Sequence, residues 1–302
     1  MLKSFSILQH SAVSIQNYMF QTIAVVGFGL IGGSLAMALR AASPDCRIVA
    51  IDTDAIASRA REIGAANDAG TDLALADGAD LIVLAAPVRQ NIAVLRDLAK
   101  RVRGEAVVTD VGSTKRAMVH AARDLPKRLH FVGGHPLAGA ATGGLEAARA
   151  DLFRGRPWIL TAAADQPAVA RLSEMVRAVG AQPCVMDPIA HDRMMAYVSH
   201  LPQLTVSALM HVVGERAGAE GLRLAGSGLR DSTRLASSPA GTWRDVTATN
   251  VDALGVAIDE LITALRRLKR DLAAGDDLQE VFDAAASWKK TLDESEVPRT
   301  ES

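Results

Sequence analysis

The 302-residue sequence is poor in aromatic residues and in cysteine, and its charges nearly cancel. Phe, Trp and Tyr make up 4% of the residues, and the cysteines are Cys46 and Cys184. Two cysteines are too few for a disulfide framework and are typical of a reducing compartment, so we predict a cytoplasmic location. Lys and Arg number 33 against 34 Asp and Glu, a formal net charge of -1. This balance offers no general attraction for nucleic acid or an anionic membrane.

Long apolar runs are also missing. No apolar stretch approaches the roughly 20 residues that cross a bilayer, and residues 1–21 lack the ordered regions of a signal peptide. We therefore predict no membrane span and treat residues 1–21 as an N-terminal tail, with Met1 or Met19 as the first residue. Residues 295–302 are polar and are predicted as a C-terminal tail. No spacing of His and Cys predicts a metal site.

The pattern of hydrophobic residues divides the chain in two at about residue 187. Between residues 22 and 187, short β-branched apolar runs alternate with alanine-rich helical stretches. This alternation indicates a mostly parallel sheet covered on both faces, the Rossmann-like doubly wound fold of the α/β class. The predicted strands are Thr22–Val26, Arg47–Ile51, Leu81–Ala85, Ala106–Thr109, His130–Val132, Trp158–Thr161 and Pro183–Met186.

Residues 188–294 show a helical pattern without strand signals. The segment from Val251 to about Ala274 carries apolar residues at helical period on one face. Pro202 lies inside an earlier helical stretch and is expected to kink it, because proline lacks an amide hydrogen and clashes with the preceding turn. A helical domain with a wide apolar stripe usually buries it against a second subunit. We therefore predict an all-helical dimerisation domain and a homodimer.

A glycine-rich segment follows the first predicted strand and opens a helix. Its pattern Gly-x-Gly-x-x-Gly permits a tight turn, a close approach to a pyrophosphate and close packing of helix on strand. Asp52 ends the next strand, twenty residues beyond Gly32. A carboxylate at this position accepts hydrogen bonds from ribose hydroxyls and repels a 2′-phosphate. We therefore predict NAD in preference to NADP, bound by Gly27, Phe28, Gly29, Leu30, Ile31, Gly32 and Asp52.

Three polar clusters fall where predicted strands end or where the two domains join. The first runs from Thr109 to Lys115, and the second, from Phe131 to Gly139, follows the next strand. Ligands of a doubly wound sheet bind beyond the carboxyl ends of the strands, so both clusters are candidates for a site. The third cluster consists of Ser199–Gln203, Gly228–Arg234 and Trp243–Asp245.

These segments resemble those of the prephenate/arogenate dehydrogenase (cyclohexadienyl dehydrogenase) family. The resemblance covers about Thr22 to Thr291. It is carried, in order, by Gly-Gly-His-Pro-x-Ala-Gly, Ser-His-Leu-Pro and Asp-x-Thr-Arg with Trp-Arg-Asp. It implies NAD(P)-dependent oxidative decarboxylation in tyrosine biosynthesis, in which prephenate gives 4-hydroxyphenylpyruvate and arogenate gives tyrosine. The residues it implies are His135 and Ser113 for catalysis and Arg234, His200, Trp243 and Asp231 for substrate binding.

The residue types suit that chemistry. Hydride leaves C4 of a cyclohexadienol, the C4 hydroxyl gives up its proton, and loss of the ring carboxylate as CO2 makes the ring aromatic. A neutral imidazole with a pKa of about 6.5 suits the proton acceptor, and the resemblance assigns this role to His135, with Ser113 hydrogen-bonded nearby. The substrate is a dicarboxylate, and a guanidinium binds carboxylate bidentately. The resemblance gives that role to Arg234.

Two positions depart from the family pattern. Many members have Ser or Thr and then Glu or His where this chain has Ala140 and Ala141. Polar groups there could distinguish the keto group of prephenate from the amine of arogenate. We therefore expect tolerance of both substrates or a preference set elsewhere. Lys115 opens the helix after Ser113, and the simplest expectation for it is a solvated first-turn side chain.

Two other functions are compatible with parts of this sequence. A β-hydroxyacid dehydrogenase also joins a nucleotide domain to a helical one, but it uses a lysine on the helical domain, and the predicted helix Ile189–Gly214 contains none. A catalytically silent NAD-binding sensor, whose helical domain binds a partner protein, would explain the glycines and Asp52. It would not explain the catalytic and carboxylate-binding residues that the resemblance matches.

Overall fold

The computed structural model describes residues 20–140, 142–161 and 166–294, apart from the side chains of Gln166 and Thr242. The predicted tails lie outside these residues, except for residues 20 and 21. The described residues form two compact units. Among the described residues, the first unit comprises 20–86, 95–111 and 124–185, and the second comprises 87–94, 112–123 and 186–294. The domain boundaries 22–187 and 188–294 stay a prediction.

A parallel sheet forms the centre of the first unit. Its strands are β1 Thr22–Val26, β2 Arg47–Ile51, β3 Asp68–Gly70, β4 Leu81–Leu84, β5 Ala106–Asp110 and β6 Leu129–Val132. Their order is β3-β2-β1-β4-β5-β6, and each neighbouring pair is parallel. This is the strand order of the doubly wound dinucleotide-binding fold. The predicted fold class is therefore confirmed.

The strand sequences account for the position of this sheet in the core. Every residue of β4 and β5 is buried, as expected for parallel strands without a solvent face. The register pairs Val26 of β1 with Ile51 of β2 and with Leu84 of β4. The carboxyl ends of these three strands therefore lie side by side, and the segments that follow them share one edge of the sheet.

Three further strands form a second, smaller sheet. They are β7 Gly134–Pro136, β8 Pro157–Thr161 and β9 Gln182–Met186, in the order β7-β8-β9, and β7 runs antiparallel to β8. The last two predicted strands therefore belong to this second sheet and do not extend the parallel one. Apolar runs identify a strand but not its partner. The short strands β3 and β7 were not predicted, because neither Asp-Ala-Gly nor Gly-His-Pro is an apolar run.

Helices make up the rest of the regular structure. The helices up to residue 178 are α1 Leu30–Ala42, α2 Asp54–Glu62, α3 Val88–Arg101, α4 Arg116–Ala121 and α5 Gln166–Ala178. Those that follow are α6 Pro188–Met195, α7 Leu201–Arg223, α8 Ser227–Ser232, α9 Ala240–Thr249, α10 Val251–Arg270 and α11 Asp276–Glu294. No described helix combines the length and hydropathy needed to span a bilayer.

The distortion expected at Pro202 takes the form of a π-helical segment. This segment, Ala196–His200, connects α6 to α7, and Pro202 lies in the first turn of α7. Because proline has no N–H for the carbonyl of Val198, the hydrogen-bond register has to change near it. The wider turn ends at His200, one of the predicted substrate residues.

The apolar face predicted for α10 is only partly buried within one chain. Leu254 and Ala257 are buried, whereas Leu265 is 55% exposed. No residue of α11 is buried, and Phe282 and Trp288 of that helix are exposed. Large exposed apolar patches are typical of surfaces that bind another protein, a membrane or a ligand.

Candidate active site

The turn between β1 and α1 requires glycine at two positions. Gly27 has a φ of 92°, and a Cβ there would lie 2.4 Å from the backbone nitrogen of Ala86. A Cβ on Gly32 would lie 2.0 Å from the carbonyl oxygen of Gly27. Backbone atoms cannot move aside as a flexible side chain can. The tight turn and the close packing of α1 on β1 therefore depend on these two residues.

Gly29 has open space beside it instead. It is the N-cap of α1, no side chain caps the helix there, and a Cβ added to it would meet nothing within 4 Å. The uncapped amides and positive dipole end of a helix attract phosphate. The backbone of Gly29, Leu30 and Ile31 therefore fits the pyrophosphate of NAD. The side chain of Phe28 is buried in the hydrophobic core of the first unit, so it anchors the turn to that core.

Asp52 ties this turn to the end of β2. Its Oδ2 accepts a hydrogen bond from the backbone N–H of Phe28 at 2.6 Å, and its Oδ1 accepts one from Thr53 at 2.6 Å. A carboxylate oxygen has two lone pairs, so each retains capacity for a further donor. The position and chemistry of Asp52 fit the ribose hydroxyls of NAD.

His135 is the central residue of β7 rather than a loop residue. It pairs with Ile159 of β8 and is half-buried. The preceding residue, Gly134, donates its N–H to Oδ1 of Asp110 at 3.1 Å. Asp110 is itself fully buried at the end of β5. The imidazole is therefore carried by a strand that is hydrogen-bonded on both sides, which restricts its position.

Ser113 belongs to the second unit and lies just before α4. The segment that follows it is anchored by two long-range hydrogen bonds: Oγ1 of Thr114 lies 2.7 Å from Oγ1 of Thr249, and the N–H of Lys115 donates to Oδ1 of Asp192 at 2.6 Å. Lys115 is fully buried, so the expectation of a solvated side chain is wrong. Its backbone N–H is bonded to the carboxylate of Asp192, which is itself buried.

Asp192 is the centre of a buried polar cluster that the sequence analysis missed. Its carboxylate accepts hydrogen bonds from Lys115, from the N–H of Arg116 at 2.9 Å and from Nδ1 of His191 at 2.8 Å. Burial acts to raise the pKa of Asp192, but these hydrogen bonds outweigh burial and hold the pKa below its usual value. No local pattern in the sequence marks this residue, since Lys115 and Arg116 lie 77 and 76 residues before it in the chain.

His200 is 1% exposed and lies beside Trp243. The two rings meet edge to face, with centroids 6.0 Å apart and planes at 77°. Burial lowers the pKa of His200 from 6.5 to about 4; Asp192 opposes this shift and His191 adds to it. The imidazole is therefore neutral near pH 7. Among the described residues, its Nε2 is buried and has no hydrogen-bond partner.

Arg234 and Asp231 are exposed. Within the described part of the chain, neither side chain makes a hydrogen bond or an ion pair, so the guanidinium of Arg234 is available to a carboxylate. Gln203 fixes the turn that Arg234 begins. Its Nε2 donates to the carbonyl of Leu235 at 2.8 Å, and its Oε1 accepts from Oγ of Ser238 at 3.0 Å. The turn is thus held against the start of α7, close in sequence to His200.

The candidate residues are distributed over both units. The glycine turn, Asp52 and His135 belong to the first unit, and the other catalytic and substrate-binding candidates belong to the second. Within the second unit the structure brings His200 and Trp243 together. The convergence of His135 with Ser113 and Arg234 stays a prediction. The described residues contain no group of three or more His, Cys, Asp or Glu side chains that could hold a metal ion.

Comparison with known proteins identifies a family. Residues 35–185 match the family model "Prephenate dehydrogenase, nucleotide-binding domain", and residues 187–284 match "Prephenate dehydrogenase, dimerization domain". The chain is 36% identical over 261 residues to the prephenate dehydrogenase of Bacillus subtilis, an alignment that covers 84% of this chain and 70% of the relative. It is 32% identical over 273 residues to the cyclohexadienyl dehydrogenase of Zymomonas mobilis, covering 87% and 93%.

A solved structure agrees with these relatives. The prephenate dehydrogenase of A. aeolicus, solved in complex with hydroxyphenyl propionate and NAD+, superimposes with a TM-score of 0.83 at 29% identity. The superposition covers 90% of this chain and 98% of that one. The family and the cofactor predicted from the sequence are therefore confirmed. The chain belongs to the prephenate dehydrogenase family and is an NAD-dependent oxidoreductase.

Proposed function

We propose that this chain catalyses the NAD-dependent oxidative decarboxylation of prephenate to 4-hydroxyphenylpyruvate, of arogenate to tyrosine, or of both, in tyrosine biosynthesis. The relatives that support this reaction are named prephenate and cyclohexadienyl dehydrogenase. The observation that carries the proposal is the half-buried imidazole of His135, held in a strand of the same unit whose glycine turn fits NAD.

His135 is the proposed proton acceptor. It takes the proton of the C4 hydroxyl, the ring carboxylate leaves as CO2, and the ring becomes aromatic. Bound NAD supplies the acceptor for the hydride from C4, with its phosphates at Gly29 and its ribose at Asp52. Ser113 is proposed to hydrogen-bond near the histidine and the substrate hydroxyl. A positioned general base of this kind contributes about 10²–10⁴-fold to the rate.

Arg234 is the proposed anchor of a substrate carboxylate. Its exposed guanidinium has no intramolecular partner in the described chain, and Gln203 holds the turn that carries it. His200 and Trp243 are proposed to line the substrate pocket as a neutral imidazole and an aromatic wall, and Asp231 is proposed to brace it. A guanidinium suits this role because it binds both oxygens of a carboxylate in one plane.

We also propose a homodimer formed through the helical segment 188–294. The exposed apolar residues of α10 and α11 support this assembly, as does the match of residues 187–284 to a model described as a dimerization domain. A cytoplasmic location remains a prediction from the composition. The proposed domain boundaries are 22–187 for the nucleotide domain and 188–294 for the helical domain.

Tolerance of both substrates is a further part of the proposal. Ala140 is exposed and offers no polar side-chain group, and Ala141 lies outside the described residues. Buried polar groups that one substrate would leave unpaired are the strongest source of discrimination. A difference in kcat/KM of more than about a thousandfold between prephenate and arogenate would contradict tolerance.

A spectrophotometric assay tests the reaction. The purified full chain is incubated with prephenate or arogenate and with NAD or NADP, and formation of the reduced cofactor is followed. NAD binding without turnover would favour a catalytically silent NAD-binding sensor. Oxidation of a small β-hydroxy acid in place of both substrates would favour a β-hydroxyacid dehydrogenase.

Variants of Arg234 test the anchor in the same assay. Arg234→Ala is expected to raise KM about tenfold to a hundredfold, the effect of losing a hydrogen bond to a charged group. Arg234→Lys is expected to recover part of that loss, because it restores the charge but not the planar pair of donors. An unchanged KM in Arg234→Ala would remove Arg234 from the site.

A further inference from the structure

Asn250 lies between Asp192 and His200. It is fully buried at the junction of α9 and α10, and it makes no side-chain cap hydrogen bond to α10. Its Nδ2 donates to the backbone carbonyl oxygen of Asp192 at 2.7 Å and lies 3.3 Å from Nδ1 of His200. This amide therefore connects the buried polar cluster to the ring of a proposed substrate residue.

The hydrogen-bond chemistry settles which way the amide faces. A backbone carbonyl oxygen can only accept, so the amide group nearest to it must be the NH2. The same nitrogen lies within hydrogen-bond distance of Nδ1 of His200, so the second hydrogen of the NH2 group requires Nδ1 to be an acceptor. Nδ1 of His200 must then be the unprotonated ring nitrogen, because an N–H there would oppose the N–H of Asn250. In a neutral imidazole the single proton is consequently on Nε2.

We propose that Asn250 is a positioning residue that holds His200 in the Nε2–H tautomer, so that His200 donates a hydrogen bond to an oxygen of the substrate. This inference rests on the proposed function, because His200 meets a substrate only if that function is right. Asp192 has an indirect part: its carbonyl oxygen orients the amide, while its carboxylate is occupied by the backbone of α4 and by His191.

Two further observations support a donor at Nε2. This atom is buried and has no hydrogen-bond partner in the described part of the chain. A buried donor without an acceptor is costly, and a substrate oxygen would remove that cost. The ring is also neutral near pH 7 because burial lowers its pKa, so one nitrogen donates and the other accepts. Trp243 packs against the ring edge to face and restricts its rotation.

The tautomer is tested first in the free enzyme. With 15N-labelled histidine, long-range proton–nitrogen correlation spectra identify the protonated ring nitrogen, and the spectrum of His200→Gln assigns the His200 signals by their loss. We expect a proton on Nε2 between pH 6 and pH 8, well above the pKa of about 4. A proton on Nδ1 would overturn the proposal. This measurement does not depend on turnover, so its failure is distinct from failure of the proposed function.

The donor role is tested by adding prephenate together with NADH, a combination in which no hydride acceptor is present. The Nε2 and Nε2–H signals of His200 are expected to shift on saturation with prephenate. If the Nε2–H tautomer is present but its signals do not move at saturation, His200 does not donate to the substrate and the proposal fails.

Asn250→Asp provides the kinetic test. A carboxylate at 250 can only accept. It loses the hydrogen bond to the carbonyl oxygen of Asp192 and, in a neutral ring, draws the single proton to Nδ1, which turns Nε2 from a donor into an acceptor. We expect KM for prephenate to rise about tenfold or more, with a smaller change in kcat. In the His200→Gln background the same change is expected to have little effect, because the Nε2 amide of glutamine donates without help from residue 250.

Control variants separate this effect from loss of structure. Asn250→Ala removes the constraint without reversing it and is expected to raise KM less than Asn250→Asp. Gln182→Glu makes the same amide-to-carboxylate change at an exposed position of β9 and is expected to leave KM unchanged. If Asn250→Asp does not fold, the tautomer of the wild-type enzyme still decides. Equal KM values in Asn250→Asp and wild type would overturn the proposal.

Discussion

Oδ1 of Asp110 accepts a hydrogen bond from the backbone N–H of Gly134 at 3.1 Å. This contact joins the end of β5 to the strand that carries His135. A Cβ on residue 134 would lie 2.4 Å from the carbonyl oxygen of Asp110 and 2.9 Å from Oγ1 of Thr109. The approach of β7 to β5 therefore depends on glycine at this position, and the proposed proton acceptor depends on that approach.

Gly134→Ala is predicted to lower both stability and turnover. The added methyl group has to displace backbone atoms, at a cost of about 1–3 kcal/mol, and the shift of β7 moves His135 away from its position. Thermal unfolding and kcat of the full chain measure the two effects. Gly104→Ala, at a position where a Cβ meets nothing within 4 Å, is the matched control and should change neither. Wild-type kcat in Gly134→Ala would show that the position of β7 is unimportant for turnover.

His135→Asn is predicted to lower kcat by about 10²–10⁴-fold with little change in KM, because the proton acceptor acts in the transition state more than in binding. Steady-state kinetics with NAD and the preferred substrate measure both constants. His211→Asn, which changes an exposed histidine of α7, serves as the control. A rise in KM at unchanged kcat would reassign His135 to substrate binding.

A change from glycine to alanine is predicted to have different effects at two positions of the glycine turn. Gly29→Ala should fold normally but bind NAD weakly, because its Cβ has free space in the protein and would occupy the position proposed for the pyrophosphate. Gly32→Ala should lower the melting temperature, because its Cβ would lie 2.0 Å from the carbonyl oxygen of Gly27. Calorimetric titration with NAD and thermal unfolding are the two measurements. Unchanged NAD affinity in Gly29→Ala would place the phosphates elsewhere.

Asp52→Ala is predicted to reduce the preference for NAD over NADP. The variant loses the acceptor for the ribose hydroxyls and the charge that repels a 2′-phosphate, and kcat/KM for NAD should fall about tenfold to a hundredfold. Asp52→Asn keeps the shape but not the charge, and should lose mainly the repulsion. Kinetics with both cofactors measure the ratio. A ratio equal to that of the wild type would remove Asp52 from cofactor selection.

The buried His200 predicts that stability falls as the medium becomes acidic. Its pKa drops from 6.5 to about 4 on folding, so between these values the unfolded chain binds a proton that the folded chain does not. The free energy of unfolding is therefore unaffected above pH 6.5 and falls between pH 6.5 and pH 4, by about 3 kcal/mol.

Denaturant unfolding at a series of pH values measures how steeply the free energy of unfolding changes with pH. His200→Gln cannot titrate and should lose the His200 contribution, whereas His211→Asn should keep it. Asp192 acts in a different range: its pKa is lowered on folding, so its contribution is present above pH 3.8, its ordinary value, and is lost as the pH falls further. An identical slope in His200→Gln and the wild type would contradict the assignment.

Features that depend on a few neighbouring residues could be predicted from the sequence alone. The strands Thr22–Val26 and Arg47–Ile51 were predicted with the bounds that the structure has, because a buried parallel strand is an unbroken apolar run. The glycine turn and Asp52 were identified for a similar reason, since each glycine meets a local backbone requirement.

Features that join distant residues emerged only on folding. Lys115, Asp192 and Asn250 come from distant parts of the chain, and the sequence did not indicate that they join His200 in one buried cluster. Their hydrogen bonds exist because α4, α6 and the start of α10 pack together. The same is true of β7, whose three residues become a strand through β8 and Asp110. Local patterns encode backbone conformation, whereas burial, tautomer and protonation depend on which side chains the packing brings into contact.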